Sequence, residues 1–587
     1  MKSFFKMFFA ALLAAIVFVF LGVLVLGGII GSLASSKEVR TGEKAVLLID
    51  LNEQFNEQVQ ENALAGLGAA EVYDKPGLYD VVRLIRYAKS DSSVKGIYLK
   101  SSGNANGFAA SEELRNALAD FKQSKKFVYA YGDVISEKAY YVANIADKVY
   151  CNPQGALEWK GYSIEYVFFK QALDKLEIKP QIFYAGKFKS ATEPFREEKM
   201  TEPNRLQSYE LLSYLYRRFL QNTGAARGID TGTLHQYANN YTIRTARDAA
   251  QYKLIDAVKY DDEVQSELKS RLGIEQNEKI NFTPVGKYAK AVAYRTGTGK
   301  NRIALIYAEG DIVDGKGDQG QIGGDTFRGW IRKARMDDDV KALVFRVNSG
   351  GGSALASETI WRELEVTRKT KPVVVSFGDV AASGGYYISC GADSIFAEPN
   401  TITGSIGVFT IIPDMKSFFN SKLGVTFDGV KTADHADALT AVRPLTDVER
   451  TFVQNDVDTI YHAFLSRVAA GRKMSVAMVD SIGQGRVWTG EKGLQLGLVD
   501  KLGNLQDAVD CAARLAKIKE YRLKEYPEPQ NLLDLLLGNY QKVEETKLKA
   551  IREELGEEGF NLYLSLRKAR RSVGKAQASM PFEIQVK

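Results

Sequence analysis

Two hydrophobic periodicities alternate along most of the chain. Short apolar runs such as Ala342–Val347 and Pro372–Phe377 predict buried β-strands, whereas Ser357–Lys369 shows the spacing of an amphipathic helix. Strands that alternate with helices are typical of an α/β fold, because parallel strands need a long crossover between them. The pattern therefore predicts an α/β protein with parallel sheets.

The first apolar segment differs from these runs in its length. Met7–Leu33 holds 27 residues without a charge, more than the roughly 20 that cross a bilayer as a helix. A cleaved signal peptide is the alternative, since Lys2 and Lys6 precede the segment, but its apolar region would span only about 7–15 residues. We therefore expect an uncleaved transmembrane anchor.

Positive charges flank this segment on both sides, so the charge balance alone does not orient it. Lys2 and Lys6 come before it, and Lys37, Arg40 and Lys44 follow it. A short N-terminal tail before a first apolar segment usually stays in the cytoplasm. We place the remainder of the chain on the far side, which is the periplasm in a Gram-negative cell.

The chain contains an internal duplication. Val94–Lys100 aligns with Val340–Arg346, and Gly132–Val134 aligns with Gly378–Val380, both at an offset of 246 residues. Further matches keep the same order, with the offset drifting by one or two residues: Tyr140–Tyr141 with Tyr386–Tyr387, Pro153 with Pro399, Thr201 with Thr446, Arg205 with Arg450 and Leu254–Asp256 with Leu498–Asp500. The chain therefore consists of two copies of one domain.

We divide the chain into four segments. Residues 1–42 form the cytoplasmic tail and anchor, 43–295 the first repeat, 296–525 the second repeat and 526–587 a C-terminal extension. The extension is predicted to be helical, because Leu532–Leu537 and Val543–Leu555 are amphipathic and basic Arg567–Arg571 follows. The extension could pack against the repeats, contact a partner or contact the membrane surface.

Composition narrows the classes of function. With 45% hydrophobic and 26% charged residues the chain is typical of a folded protein, and its net charge of +6 is not concentrated. Nothing therefore indicates nucleic-acid binding. Three widely spaced cysteines and three histidines indicate neither a disulfide framework nor a metal site, and they leave few candidates for an imidazole base.

The candidate chemistry lies where the two repeats differ. The second repeat has Ala381–Tyr387 (AASGGYY) where the first has Ile135–Tyr141 (ISEKAYY), so small residues and a hydroxyl occur in one copy only. Ser383 after a strand suits a nucleophile, and the Gly384 N–H suits an oxyanion donor. The glycine turn Asn348–Gly352 offers a second donor from Gly351 or Gly352. Alternatively, Ser383 is a helix cap and the glycines only permit close packing.

The two glycine-rich turns resemble those of the Clp/crotonase fold, and specifically of the signal peptide peptidase A family in its long, duplicated form. The resemblance covers Arg346–Ser353, Gly378–Tyr387 and Asn400–Gly407, in which Thr403–Gly407 reproduces a family segment. It implies two tandem domains of ββα-superhelix type. Gly350 departs from the family, which usually has proline there, and we expect a more flexible turn with function kept.

The resemblance implies a Ser/Lys dyad whose lysine comes from the first repeat. The matching segment is Gly186–Phe195, and the family's lysine falls on Lys189. Periodicity alone does not separate it from Lys187, which shares its face if the segment is extended. To act as a base Lys189 must be neutral, so its pKa must fall from about 10.4 toward 7–8. Ser405 matches a serine that hydrogen-bonds the lysine.

His435 is the rival base, since it lies in the same repeat as Ser383. No aspartate that would orient the imidazole is identifiable, so we interpret His435 as a surface or loop residue.

The resemblance implies a membrane-bound serine endopeptidase without metal or organic cofactor. Its substrates would be cleaved signal peptides and other hydrophobic or unfolded peptides, and its assembly a bowl-shaped homotetramer. The expected location is the bacterial inner membrane, spanned once. Two alternatives remain open: a crotonase-like acyl-CoA enzyme, which would lack the serine nucleophile, and a non-catalytic membrane scaffold with the same fold.

Overall fold

The structure is a computed structural model that describes residues 39–60, 73–295, 297–528 and 575–580, with isolated residues between 6 and 21 and between 551 and 567. The predicted anchor, Met7–Leu33, lies outside these ranges except at single positions. Among the described residues, no helix combines the length and the apolar character that a bilayer span requires.

The first repeat is built around a six-stranded parallel sheet of order β6-β4-β3-β2-β1-β7. Its strands, with β5 that leaves this sheet, are β1 (Ala45–Asp50), β2 (Val94–Lys100), β3 (Phe127–Ile135), β4 (Lys148–Leu157), β5 (Lys179–Ala185), β6 (Ala257–Val258) and β7 (Phe282–Pro284). Its helices are α1 (Leu78–Ser90), α2 (Phe108–Lys122), α3 (Glu137–Ala143), α4 (Lys170–Lys175), α5 (Glu193–Arg196), α6 (Glu202–Arg227), α7 (Thr231–Asn239), α8 (Ala246–Gln251), α9 (Asp261–Leu272) and α10 (Val285–Ala291), with a 3₁₀ turn at Ser190–Thr192.

The second repeat has a corresponding sheet of order β17-β15-β13-β11-β8-β19, with β14 and β18 beside β13. Its strands are β8 (Arg302–Glu309), β9 (Asp311–Val313), β10 (Gln321–Gly323), β11 (Val340–Ser349), β12 (Gly351–Ser353), β13 (Val373–Ala382), β14 (Ser394–Ala397), β15 (Ile402–Gly404), β16 (Val408–Asp414), β17 (Val487–Thr489), β18 (Lys501–Leu502) and β19 (Arg522–Tyr526). Its helices are α11 (Gly324–Met336), α12 (Ala354–Arg368), α13 (Gly384–Tyr387), α14 (Asp447–Arg472), α15 (Val476–Ile482), α16 (Gly490–Gln495) and α17 (Leu505–Leu515), with a π-helical turn at Phe418–Lys422.

The two repeats use the same topology, which confirms the predicted α/β class with parallel strands. β1, β2 and β3 pair in parallel as β8, β11 and β13 do, and α6 and α14 are both 26 residues long. The predicted strand runs lie in β11 and β13, and the predicted helix lies in α12. Nearly all residues of β11 and β13 are buried, as expected where helices cover both faces of a sheet.

A third sheet joins the two repeats, in the order β10-β9-β12-β20-β16-β5, where β20 is Gln577–Ser579. In it β5 of the first repeat runs antiparallel to β16 of the second over seven residue pairs, from Val408–Ala185 to Asp414–Lys179. Within the predicted helical extension, β20 is a strand, because its backbone pairs with β12 and β16 instead of with itself. The segments that predicted the helices, Leu532–Leu537 and Val543–Leu555, lie outside the described residues except at single positions from 551 onward. Through this third sheet, a strand of the first repeat is hydrogen-bonded to a strand of the second.

A buried ion cluster also holds the repeats together. Arg346 on β11 donates from Nε to Glu57 and from Nη2 to Glu113, each at 2.7 Å, and both carboxylates belong to the first repeat. All three side chains are at most 3% exposed. Paired charges of this kind fix the relative position of the two repeats, because each one is costly to bury alone.

Candidate active site

Ser383 lies in a sharp turn between β13 and α13. Its backbone has φ 53° and ψ −115°, in the region that side chains rarely adopt, and its N–H donates to the Gly404 carbonyl at 2.8 Å. The hydroxyl makes no capping hydrogen bond to α13. Ser383 occupies the N-cap position of α13, but its side chain does not cap the helix, so the helix-cap alternative for the hydroxyl is wrong.

Lys189 of the first repeat meets this hydroxyl. Its Nζ lies 2.8 Å from Ser383 Oγ, although 194 residues separate the two in sequence, and Lys189 is only 1% exposed. The segment is not extended, because the Lys189 N–H bonds back to the Gly186 carbonyl at 3.0 Å and closes a turn. Lys187 is consequently exposed while Lys189 is buried, so the two lysines do not share a face.

Burial controls the charge of Lys189. Desolvation lowers the pKa of its ammonium well below the ordinary value of 10.5, because the charged form loses its hydration inside the protein. The amine is therefore disposed to be neutral, with one lone pair and two N–H donors. A neutral amine beside a serine hydroxyl has the properties of a general base.

Ser405 orients the amine. Both its hydroxyl oxygen and its carbonyl oxygen lie 3.1 Å from Lys189 Nζ, and the residue is fully buried. Since a carbonyl oxygen only accepts, it takes one N–H of the amine, and the Ser405 hydroxyl can take the other. The lone pair of Nζ then remains for the Ser383 proton.

Gly384 and Gly351 lie side by side next to Ser383. A Cβ built on Gly351, whose φ is 98°, would come within 2.6 Å of the Gly384 nitrogen, so only glycine allows this approach. The Gly351 N–H donates to Ser349 Oγ at 3.1 Å. Gly352, the third predicted oxyanion residue, lies one position further along β12, where an added Cβ would meet the Ile312 carbonyl oxygen at 2.0 Å.

The groove beside these glycines contains the chain's own strand β20. It pairs antiparallel with β12 on one side and with β16 on the other. The Ala578 carbonyl oxygen would lie 2.0 Å from a Cβ on Gly351 and 2.8 Å from one on Gly384, so it adjoins both glycines. The Met580 N–H donates to the Gly350 carbonyl at 2.5 Å. An extended peptide thus fits the groove as an added strand.

An apolar pocket receives the side chain of Met580, which is 9% exposed. The pocket is next to Ser383 and contains residues of both repeats: Leu211, Leu215, Ala382, Ile402 and Val487. Sequence analysis did not predict this pocket or its occupant, since the pattern of the extension indicates a helix.

Gly485 is a further site residue that sequence analysis missed. Its φ is 76°, and a Cβ there would come within 2.6 Å of the Lys189 backbone nitrogen. The neighbouring Gln484 carbonyl accepts the Phe188 N–H at 2.8 Å. The second repeat therefore holds the lysine segment of the first by its backbone. The glycine itself was the available signal, since glycine often marks a positive φ or a close backbone approach.

Other candidate groups lie elsewhere. His435 is exposed in the loop before α14 and is not among the hydrogen-bond partners of Ser383 or Lys189. Among the residues the structure describes, no group of three or more His, Cys, Asp or Glu side chains is placed to hold a metal ion.

Comparison with known proteins gives matches in both repeats. The model of "Peptidase family S49" matches residues 120–275 and 365–519, one region in each repeat. "Protease 4" of Salmonella typhi is 35% identical over 530 residues, which is 87% of this chain and 84% of that relative. "Serine protease SPPA, chloroplastic" of Arabidopsis thaliana is 32% identical over 519 residues, 86% of this chain and 74% of that relative.

Among solved structures, a ClpP1 mutant from Listeria monocytogenes matches with a TM-score of 0.24 and 13% identity. The match covers 35% of this chain and 94% of that chain. The assignment of the repeats to the Clp/crotonase fold stays a prediction.

Proposed function

The chain belongs to peptidase family S49 and is a serine protease, and from this premise we propose that Ser383 is its nucleophile and Lys189 its general base. The observation that carries the proposal is the 2.8 Å approach of a buried, desolvated amine to a serine hydroxyl. The two groups come from different repeats, so each repeat supplies half of the dyad.

In the proposed mechanism, Lys189 accepts the Ser383 proton as Oγ attacks the substrate carbonyl. The Gly384 N–H, together with an N–H of Gly351 or Gly352, stabilises the oxyanion. The Lys189 ammonium then protonates the leaving amine, and the acyl chain remains esterified to Ser383. A water molecule that gives its proton to Lys189 hydrolyses the ester and restores the enzyme.

The proposed substrates are extended, apolar peptides, including cleaved signal peptides and other hydrophobic or unfolded segments. Strand addition between β12 and β16 requires an unfolded substrate backbone, since a helix cannot pair its N–H and C=O groups with a strand. The Met580 pocket adds a preference for an apolar side chain beside the scissile bond. Both features suit a membrane-derived peptide.

We also propose that Met7–Leu33 anchors the enzyme in the bacterial inner membrane as a single span, with both repeats on the periplasmic side. The support is the uncharged length of the segment. The proposed assembly is the homotetramer that the family resemblance implies. No second function is favoured, because neither an acyl-CoA enzyme nor a scaffold has use for a desolvated lysine beside Ser383.

The decisive experiment combines active-site labelling with hydrolysis of a hydrophobic peptide. A serine-reactive fluorophosphonate should label the wild-type chain but not Ser383→Ala, which should cleave nothing. Lys189→Ala should lose about 10²–10⁴-fold in kcat, the usual contribution of a general base. Lys187→Ala is the matched control, since this exposed lysine lies two residues away, and it should behave as wild type.

Cleavage retained by Ser383→Ala would overturn the dyad. Turnover of an acyl-CoA substrate by that same variant would favour the crotonase-like alternative. A wild-type chain that neither takes the label nor cleaves peptide would favour the scaffold.

A further inference from the structure

A buried glutamine of α6 contacts both residues that flank Lys189. The side-chain amide of Gln207 donates from Nε2 to the Phe188 carbonyl at 3.1 Å and to Ser190 Oγ at 2.9 Å. Gln207 is only 2% exposed, and all of these residues belong to the first repeat. The amide therefore fixes the backbone turn that carries the Lys189 side chain.

The other end of the same amide contacts the second repeat. Gln207 Oε1 accepts the Val487 N–H, the first of β17, at 3.3 Å. Val487 follows Arg486, whose carbonyl accepts the Ser405 N–H at 2.7 Å. Ser405 in turn accepts hydrogen bonds from the Lys189 amine. One side chain thus links the lysine turn to the segment that positions the partner of the amine.

The partners of Gln207 fix the orientation of its amide. The Phe188 carbonyl only accepts and the Val487 N–H only donates, so Nε2 faces the first repeat and Oε1 faces the second. Asn204 agrees with this orientation, since its Oδ1 lies 3.2 Å from Nε2 while its Nδ2 donates to Glu193 at 2.9 Å. An ionised glutamate could accept in place of Oε1 but could not donate in place of Nε2.

The duplication shows that the fold does not require this amide. α6 and α14 match at an offset of 245 residues, from Thr201 to Thr446. The first turn of α14 is held by a capping box between Thr446 and Glu449. Where α6 has Gln207, α14 has Phe452, which is 63% exposed. The buried amide therefore occurs in the repeat that carries the lysine and not at the matching position of the other.

We infer that Gln207 is a positioning residue for the proposed base, because it holds the Lys189 turn and the segment beside Ser405 in one fixed arrangement. The inference rests on the proposed role of Lys189. Gln207 acts through the lysine turn and keeps Nζ within reach of Ser383. A loosened turn would admit water around the amine, and hydration favours the ammonium over the neutral base.

The pH profile of kcat/KM tests this role. Gln207→Glu keeps the size of the side chain, but an ionised carboxylate repels the Phe188 carbonyl and favours the Lys189 ammonium. The midpoint of the rising limb should therefore move to higher pH by about one pH unit, and the plateau should fall. A residue that only stabilised the fold or shaped the apolar pocket would change kcat/KM alike at every pH and leave the midpoint in place.

Gln207→Met tests the hydrogen bonds without adding a charge. Methionine is of similar length, but it donates nothing, so the Phe188 carbonyl and Ser190 Oγ lose their shared donor. The plateau of kcat/KM should fall about tenfold or more, since a misplacement of about 1 Å can cost about 10²-fold.

Gln181→Met is the matched control. Gln181 lies on β5, is 8% exposed and also accepts a backbone N–H of the second repeat, from Leu445 at 3.0 Å. Its other partner is Arg450, so its hydrogen bonds join the repeats outside the lysine turn. The control should keep the wild-type midpoint and plateau, whatever it costs in the free energy of unfolding.

A wild-type midpoint in Gln207→Glu would overturn the inference. If that variant does not fold, equal plateaus of Gln207→Met and Gln181→Met would overturn it instead. Lys189→Arg in the same assay separates the two proposals. If it keeps the rising limb, the dyad itself fails. If it is inactive while both Gln207 variants behave as wild type, only the role of Gln207 fails.

Discussion

At the residue scale, the site depends on one lysine that the fold keeps out of water. Burial lowers the pKa of this lysine, and the Ser405 oxygens accept hydrogen bonds from the amine without placing a carboxylate beside it. A neighbouring carboxylate would favour the ammonium and raise the pKa again. The absence of such a group from the described contacts of Nζ suits a base that must be neutral.

The pH dependence follows from this pKa. Because only the neutral amine accepts the Ser383 proton, kcat/KM should rise with pH as Lys189 loses its proton, with the midpoint below the ordinary lysine value of 10.5. Lys189→Arg should abolish the activity at every pH, since a guanidinium does not deprotonate. Lys187→Arg is the control and should keep the wild-type profile. A Lys189→Arg enzyme with the wild-type limb would contradict the assignment.

At the scale of elements, the strand β20 occupies the groove that is proposed to bind substrate. It uses both edges of the groove and fills the apolar pocket with Met580, so a peptide must displace it. The helical prediction for residues 526–587 rested on Leu532–Leu537 and Val543–Leu555, which precede this strand. A strand of three residues is too short to show a hydrophobic periodicity in the sequence. Its pairing with β12 joins residues more than 200 positions apart, which no local pattern reveals.

Removing β20 should therefore ease substrate binding. A chain that ends after Gly574 should show a lower KM for a hydrophobic peptide with unchanged kcat, because an intramolecular competitor reduces only the fraction of open sites. Met580→Asp in the full chain should act in the same direction by weakening the pocket contact. Kinetics on both variants measure this effect. An unchanged KM in both would contradict it.

At the scale of the whole molecule, the proposed active site forms only where the two repeats are held together. The paired strands β5 and β16, the backbone contacts of Gln484 and the Arg346 cluster all join them. The first repeat has Glu137 where the second has Ser383, and burial raises the pKa of this carboxyl to about 7. In the proposed dyad that repeat contributes the base and its support, and the second contributes the nucleophile.

Arg346→Met tests this contact. It leaves Glu57 and Glu113 buried without their cation, so the free energy of unfolding should fall by about 3–5 kcal/mol. Burial already raises the pKa of Glu113, and losing Arg346 raises it further. The loss of stability relative to wild type should therefore grow as pH rises from the wild-type pKa of Glu113 to its higher pKa in the variant. Arg328→Met, in an exposed pair with Asp325, should cost under about 1 kcal/mol in the same denaturant titration. Equal losses would contradict the role of Arg346.

The amino-acid sequence by itself determined the parallel α/β class, the duplication and the strand–turn–helix environment of Ser383. These features arise from local periodicity and from residues a few positions apart, which is the range over which a sequence pattern is informative. The family resemblance added Lys189 and Ser405, which no local pattern separated from other residues of their type.

Only the tertiary structure decided that Lys189 is buried while Lys187 is exposed, that its Nζ reaches Ser383, and that β20 lies in the groove. Each of these depends on segments hundreds of residues apart packing against one another. Desolvation, which lowers the pKa of Lys189, is a property of that packing and not of the residues beside it in the chain.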